Sequence, residues 1–198
     1  NTEEDNNTLS LGTSYTDLAG NTGPAATTAN YAIDTLLPTI SSVTAGWGTY
    51  LNATEDNSDG TVTVVTSGAE NGQRVYVAFD NGDNYTGTVS NNSTSVTVAA
   101  AGLQALTDGS SYTLTTNVSD AAGNAATENT GTSFTYDITA PTISDSVAIS
   151  SASGVQNSLL NAGDNISVTA TFSEPVIVDS ASGPPTLTLV VGSTDRAA

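Results

Sequence analysis

The chain repeats itself. Asp17-Leu-Ala-Gly-Asn21, followed by Asp34 and Pro38-Thr-Ile40, returns as Asp120-Ala-Ala-Gly-Asn124, followed by Asp137 and Pro141-Thr-Ile143, and every anchor is displaced by the same 103 residues. Both copies set the two aspartates 17 positions apart, and both place an aromatic, Tyr31 or Phe134, shortly before the second one. A fixed internal period means an array of modules, each burying its own small core. It divides the chain into residues 1–37, the C-terminal strands of a preceding repeat; 38–140, one complete repeat; and 141–198, the N-terminal strands of a following repeat of another subtype. The junctions fall at prolines. Proline lacks an N–H and pushes the residue before it into an extended conformation, so each junction reads as a short, stiff joint.

Inside the complete repeat the side chains alternate between apolar and polar. Thr61–Thr66, Arg74–Phe79, Tyr85–Val89, Ser93–Val98, Tyr112–Val118 and Thr132–Tyr136 all show this period of two, with β-branched and aromatic enrichment. Turn clusters separate them, among them Ser67-Gly-Ala-Glu-Asn-Gly72, Asp80-Asn-Gly-Asp83 and Asp120-Ala-Ala-Gly-Asn124. With an opening strand at Thr39–Val43, this predicts an all-β chain of tandem immunoglobulin-like β-sandwich repeats, each of seven strands in about 100 residues. The one helix expected is short and lies within Ala99–Leu106.

The charge balance narrows the chemistry. Twenty Asp and Glu stand against two cationic residues, Arg74 and Arg196, with no Lys and no His, for a net charge of −18. Nucleic acid is excluded as a partner, because a phosphate backbone needs clustered Lys and Arg. Without His, Lys or Cys there is no ordinary base to activate a hydroxyl and no thiolate, so the chain reads as not an enzyme. No apolar run reaches 18 residues, and no membrane insertion is expected. The first residue is not a methionine and falls within a repeat, which reads as a piece of a longer protein. Zero Cys removes disulfides as the staple of a small domain, and a metal is the usual replacement. With neither Cys nor His, only oxygen ligands remain, and oxygen-only coordination points to calcium.

The topology of such a sandwich places the acids. The chain enters at one pole, alternate loops lie at alternate poles, and the last strand leaves at the far pole. Asp120 and Glu70 are therefore expected to share the N-terminal pole with the linker residue Asp34, with Asn124 as an additional oxygen donor. Asp137, Glu55 with its neighbour Asp56, and Asp108 are expected to converge at the C-terminal pole. Each residue also has a plainer role open to it. Asp120 can act only as a turn former, Asp34 and Asp137 as solvated linker charges, and Glu55, Glu70 and Asp108 as ordinary surface acids. Asp56-Asn-Ser-Asp59-Gly60 lacks the acid spacing of an EF-hand and reads as a hairpin turn.

Several motifs in fixed order carry a family resemblance. Leu51-Asn-Ala-Thr-Glu55, Gly68-Ala-Glu-Asn-Gly-Gln-Arg-Val75, Leu103-Gln-Ala-Leu-Thr-Asp-Gly109, Ser119-Asp-Ala-Ala-Gly-Asn124 and Asp137-Ile-Thr-Ala-Pro141 resemble the bacterial immunoglobulin-like repeats of large biofilm adhesins of the RTX and Bap type, exported by type I secretion. Leu160-Asn-Ala-Gly-Asp164, Phe172-Ser-Glu-Pro-Val176, Pro185-Thr-Leu-Thr-Leu189 and Gly192-Ser-Thr-Asp-Arg196 resemble a second repeat subtype of the same adhesins. The resemblance implies a structural extender at the bacterial cell surface, rigidified by calcium at its joints and supporting adhesion and biofilm formation. Its partners would be neighbouring repeats of the same polypeptide. Two alternatives remain: a binding module that grips a glycan or protein directly, and a filament subunit. In the second, the 1–37 and 141–198 segments complement each other head to tail between molecules by strand addition.

Overall fold

The computed structural model of the chain describes residues 3–144, 147–154, 156, 159–161, 163–181, 183, 186, 188–191 and 194–197. It divides into two compact units, Asn1–Ile138 and Thr139–Ala198. Among the described residues no helix is long and apolar enough to cross a membrane.

The first unit opens with β1 (Glu3–Asn7), β2 (Ser10–Leu11), β3 (Ala26–Thr27) and β4 (Tyr31–Asp34). β1 pairs antiparallel with β4, placing Glu3 opposite Asp34, and β2 pairs with β3. Then comes the sandwich: β5 (Thr39–Ala45), β6 (Tyr50–Leu51), a 3-10 turn (Glu55–Asn57), β7 (Gly60–Ser67), β8 (Arg74–Phe79), β9 (Asn84–Thr88), β10 (Ser93–Val98), the single helical turn α1 (Ala100–Leu103), β11 (Ser111–Val118) and β12 (Asn129–Tyr136). One sheet runs β10-β7-β5 and the other β6-β12-β11-β8-β9. The predicted all-β immunoglobulin-like sandwich is present, and the ends of the seven anticipated strands differ from expectation by at most three residues. The short helix falls inside the expected Ala99–Leu106 segment, and β6 is an eighth strand that alternation could not reveal.

Alternation does fix which side chains fill the sandwich. Val62, Val64 and Thr66 of β7 point inward, as do Tyr112, Leu114, Thr116 and Val118 of β11, and all are buried. Phe134 sits at the centre of the aromatic packing, with ring centroids 5.2 Å from Trp47, 5.6 Å from Phe79 and 5.7 Å from Tyr112. Trp47 is thereby part of the core. Because side chains of both sheets fill one interior, the loops at each end are held on a rigid frame.

In the second unit β13 (Ala148–Ser153) pairs antiparallel with β14 (Asn165–Thr169), and β15 (Thr188–Val191) with β16 (Thr194–Ala197). Ala162, Pro185, Leu187, Gly192 and Ser193 of the second-subtype motifs lie outside the described residues.

Candidate functional site at the two poles of the central sandwich

At the N-terminal pole the β11–β12 loop is built by Asp120. Its backbone N–H donates to the carbonyl of Asn124 (3.0 Å), and its two carboxylate oxygens accept from the backbone and side-chain amides of Asn124 (2.8 and 2.9 Å). Gly123 closes the turn at φ +92°, a conformation glycine reaches without steric cost. Burial of Asp120 opposes ionisation, but the hydrogen bonds from Asn124, Gly123 and Ala122 together outweigh it and hold the carboxyl below its ordinary value. The same loop forms 103 residues earlier. Asp17 accepts from Ala19, from Asn21 N–H and from Asn21 Nδ2 (2.9, 2.9 and 2.8 Å), with Gly20 at φ +91°, and the Asn21 side chain leads in lowering its pKa. The turn chemistry of this motif is thus a property of the residues, reproduced in both copies.

Two further segments reach this pole. Glu70, in the β7–β8 loop, accepts from the N–H of Ala121 (2.8 Å), and Asn124 Nδ2 donates to the carbonyl oxygen of Asp34 (3.1 Å), joining the linker to the loop. The Asp34 carboxylate accepts from Leu36 N–H (2.9 Å). Gly68, at φ +79°, lies against the Pro38 backbone.

At the C-terminal pole Glu55, Asp108 and Asp137 lie on adjoining segments. Glu55 Oε2 accepts from Asn52 N–H (3.2 Å) while Asn52 Oδ1 accepts from the N–H groups of Thr54 and Glu55 (2.9 and 3.2 Å), a reciprocal cap on the 3-10 turn. Asp108 accepts from Ile138 N–H (2.9 Å), and Asp137 N–H donates to the Leu51 carbonyl (2.9 Å). Asp56, expected at this pole only as the neighbour of Glu55, is its inner partner. Asp56 is buried and accepts from the hydroxyl of buried Tyr136 (2.8 Å), and Gln104 donates to its carbonyl (3.1 Å). Desolvation first, then the bond to Asp56, pushes the Tyr136 phenol up to about 12. The signal that could have found Asp56 is the pairing requirement of Tyr136, whose hydroxyl needs a partner once the last strand is buried.

Glu70, Asp120 and the Asp34 backbone thus meet at the 120–124 loop, Glu70 through Ala121 and Asp34 through Asn124, and Glu55, Asp108 and Asp137 stand on neighbouring segments at the other end. Among the described residues no three acidic side chains draw together into a group that would hold a metal. The donors at both poles are oxygens, which suits a hard cation such as calcium, while several of these carboxylates are engaged with backbone amides.

No protein-family model and no curated protein matches the chain. Among solved structures, a bacterial immunoglobulin-like domain from the M. primoryensis ice-binding adhesin is 33% identical over 99% of that domain and 51% of this chain, with a TM-score of 0.36. The chain belongs to the bacterial immunoglobulin-like domains. A structure bearing on host cell surface retention of a 1.5-MDa bacterial ice-binding adhesin is 30% identical over 68% of this bacterial immunoglobulin-like chain, with a TM-score of 0.40. A Ca2+-stabilized adhesin with which an Antarctic bacterium reaches out and binds ice is 26% identical over 92% of it, with a TM-score of 0.42. The chain spans 43% of the length of each of these two.

Proposed function

We propose that this bacterial immunoglobulin-like chain is a spacer segment of a bacterial cell-surface adhesin, outside the cell, whose joints are stiffened by calcium and whose length supports adhesion and biofilm formation. The observation that carries the reading is the repeated Asp-x-x-Gly-Asn loop, tied in the central sandwich to the linker by the 3.1 Å bond from Asn124 to Asp34. A loop that grips the incoming linker limits bending there. Residues 38–140 act as the complete repeat, with Asp34, Glu70 and Asp120 holding calcium at the N-terminal joint and Glu55, Asp108 and Asp137 at the C-terminal one. Calcium would supply the cross-link between segments and neutralise part of the −18 charge. Strand complementation between copies is the self-association this reading leaves to be tested.

Small-angle scattering of the full chain tests the stiffness. Its maximum dimension is expected to be greater in millimolar calcium than in excess chelator, and Asp137→Ala is expected to remove part of that difference while leaving the sandwich folded. Equal dimensions in calcium and chelator would refute calcium stiffening. A concentration series by light scattering tests the complementation: a strictly monomeric 19.8 kDa species at high concentration rules it out.

A further inference from the structure

A glycine that follows an asparagine or aspartate has no Cβ to shield its backbone nitrogen, and that nitrogen can attack the side-chain carbonyl carbon one residue back, closing a five-membered ring. The chain has four such pairs: Asp59-Gly60, Asn71-Gly72, Asn81-Gly82 and Asp108-Gly109. Three are held by other segments of the fold. Asp59 Oδ1 accepts from Ala100 N–H (3.0 Å), and Gly60 belongs to β7, opposite Val98 of β10. Asp108 Oδ1 accepts from Ile138 N–H (2.9 Å), and Gly109 N–H donates to the Tyr136 carbonyl (2.8 Å). Asn71 Oδ1 accepts from Asn91 N–H in the β9–β10 loop (2.7 Å), and Gly72 N–H donates to the Val89 carbonyl (2.9 Å). Ring closure at any of the three requires separate segments to part.

Asn81-Gly82 is different. It forms the tip of the β8–β9 hairpin, and its hydrogen bonds among the described residues stay within that tip. Gly82 N–H donates to the Phe79 carbonyl (3.0 Å), Asn81 Nδ2 donates to Asp83 Oδ2 (2.8 Å), and Asn81 Oδ1 accepts from Asp83 N–H (3.1 Å). Gly82 sits at φ +99°, with open space where a side chain would stand. Asn71 and Asn81 are both exposed, so access to water does not separate them. The size of the motion does: a fluctuation of the hairpin tip frees Asn81 and Gly82 together, whereas freeing Asn71 means parting two loops. The Asp83 N–H belongs to the same turn and can stay with Oδ1 as that oxygen gains negative charge in the ring-closing step.

We propose that Asn81 is a self-modification site, at which the folded chain converts its own amide to aspartate and isoaspartate with water as the one co-reactant. The Gly82 nitrogen bonds to Cγ of Asn81, the Cγ–Nδ2 bond breaks, and ammonia leaves with the proton that the Gly82 nitrogen gives up. Water then adds to one of the two ring carbonyls and breaks its bond to nitrogen, which regains a proton. Opening at the side-chain carbonyl gives aspartate; opening at the backbone carbonyl gives isoaspartate, with the chain rerouted through the side chain. No electrons change hands. Either product adds a negative charge to a chain already at −18, removes the amide that donates to Asp83 and puts a carboxylate beside it. The converted fraction records how long the folded chain has stood in water, whether or not the poles hold calcium.

The test is peptide mapping of the full chain after incubation in warm, mildly alkaline buffer, folded and in denaturing urea. Cleavage after Arg74 puts Asn71 and Asn81 in different peptides, and tandem mass spectrometry locates both the mass gain of exchanging an amide for an acid and the isoaspartate that accompanies it. In the folded chain Asn81 is expected to convert about tenfold or more faster than Asn71, and in urea, where both glycines are free, the two rates are expected to agree within about threefold. Asn81→Gln keeps an amide at the hairpin tip but would have to close a less favourable six-membered ring, and is expected to abolish the conversion there. Equal rates at the two asparagines in the folded chain, a faster rate at Asn71, or no conversion of Asn81 over a period that converts it in urea overturns the proposal. A preference for Asn81 that persists undiminished in urea overturns it as well, since the selectivity would then owe nothing to the fold. None of these outcomes bears on the calcium reading of the joints.

Discussion

Tyr136 and Asp120 show how one residue's surroundings become a property of the whole fold. The folded state holds the Tyr136 phenol neutral up to about 12, above the unfolded value near 10. The stability this contributes is complete below pH about 10 and is lost as pH rises through the folded value. A spectrophotometric titration is therefore expected to show one tyrosine of the seven ionising last, and Tyr136→Phe is expected to abolish that step. Asp120 works in the opposite direction: its folded carboxyl lies below the ordinary value, so its contribution is present above the unfolded value near 3.9 and fades as pH falls through the folded one. Asp120→Asn is expected to lower the melting temperature at pH 7, with the gap to the native chain narrowing as acid protonates the folded carboxyl. The two residues were not equally legible. Asp120 announces itself because its loop recurs with the same spacing and glycine, whereas Asp56 takes its role from Tyr136, 80 residues later, and read locally as part of a hairpin turn.

Among the elements, the long strands were legible because a half-buried strand needs apolar residues at every second position, and Ser93–Val98 and Arg74–Phe79 have them. β6 was not, since two residues carry no period and exist as a strand only through a partner in β12. Alternation also puts hydroxyls where a core expects methyls. Thr116 is fully buried, and among the described residues its Oγ1 has no hydrogen-bond partner. Thr116→Val is accordingly expected to raise stability by about 1 kcal/mol, readable as a higher midpoint in urea with an unchanged slope. Close packing sets the reverse case at Gly60, where an added Cβ would stand 2.5 Å from Cζ3 and 2.9 Å from Cε3 of Trp47. Trp47 is itself wedged edge-on against Phe134, so it cannot yield freely. Gly60→Ala is expected to cost about 1–3 kcal/mol and to shift the emission of the sole tryptophan.

At the scale of the whole molecule one sandwich, a linker held by the loop it enters and acids on the segments at both poles belong to a chain that carries −18 and repeats its loop motif. The repeat period was legible in the sequence, as was the side of the sandwich on which Glu70 and Asp120 stand. The individual bonds were not, because each carboxylate's choice between a backbone amide and a neighbouring acid depends on the folded backbone. Thermal melting of the full chain, compared between millimolar calcium and excess chelator, decides whether calcium holds the joints. A cation that binds only the folded state adds about 2.7 kcal/mol at a hundredfold excess over its dissociation constant. The expected result is a central-sandwich transition higher in calcium by on the order of 10 °C, and a melting temperature that is the same in calcium and in chelator would contradict the account.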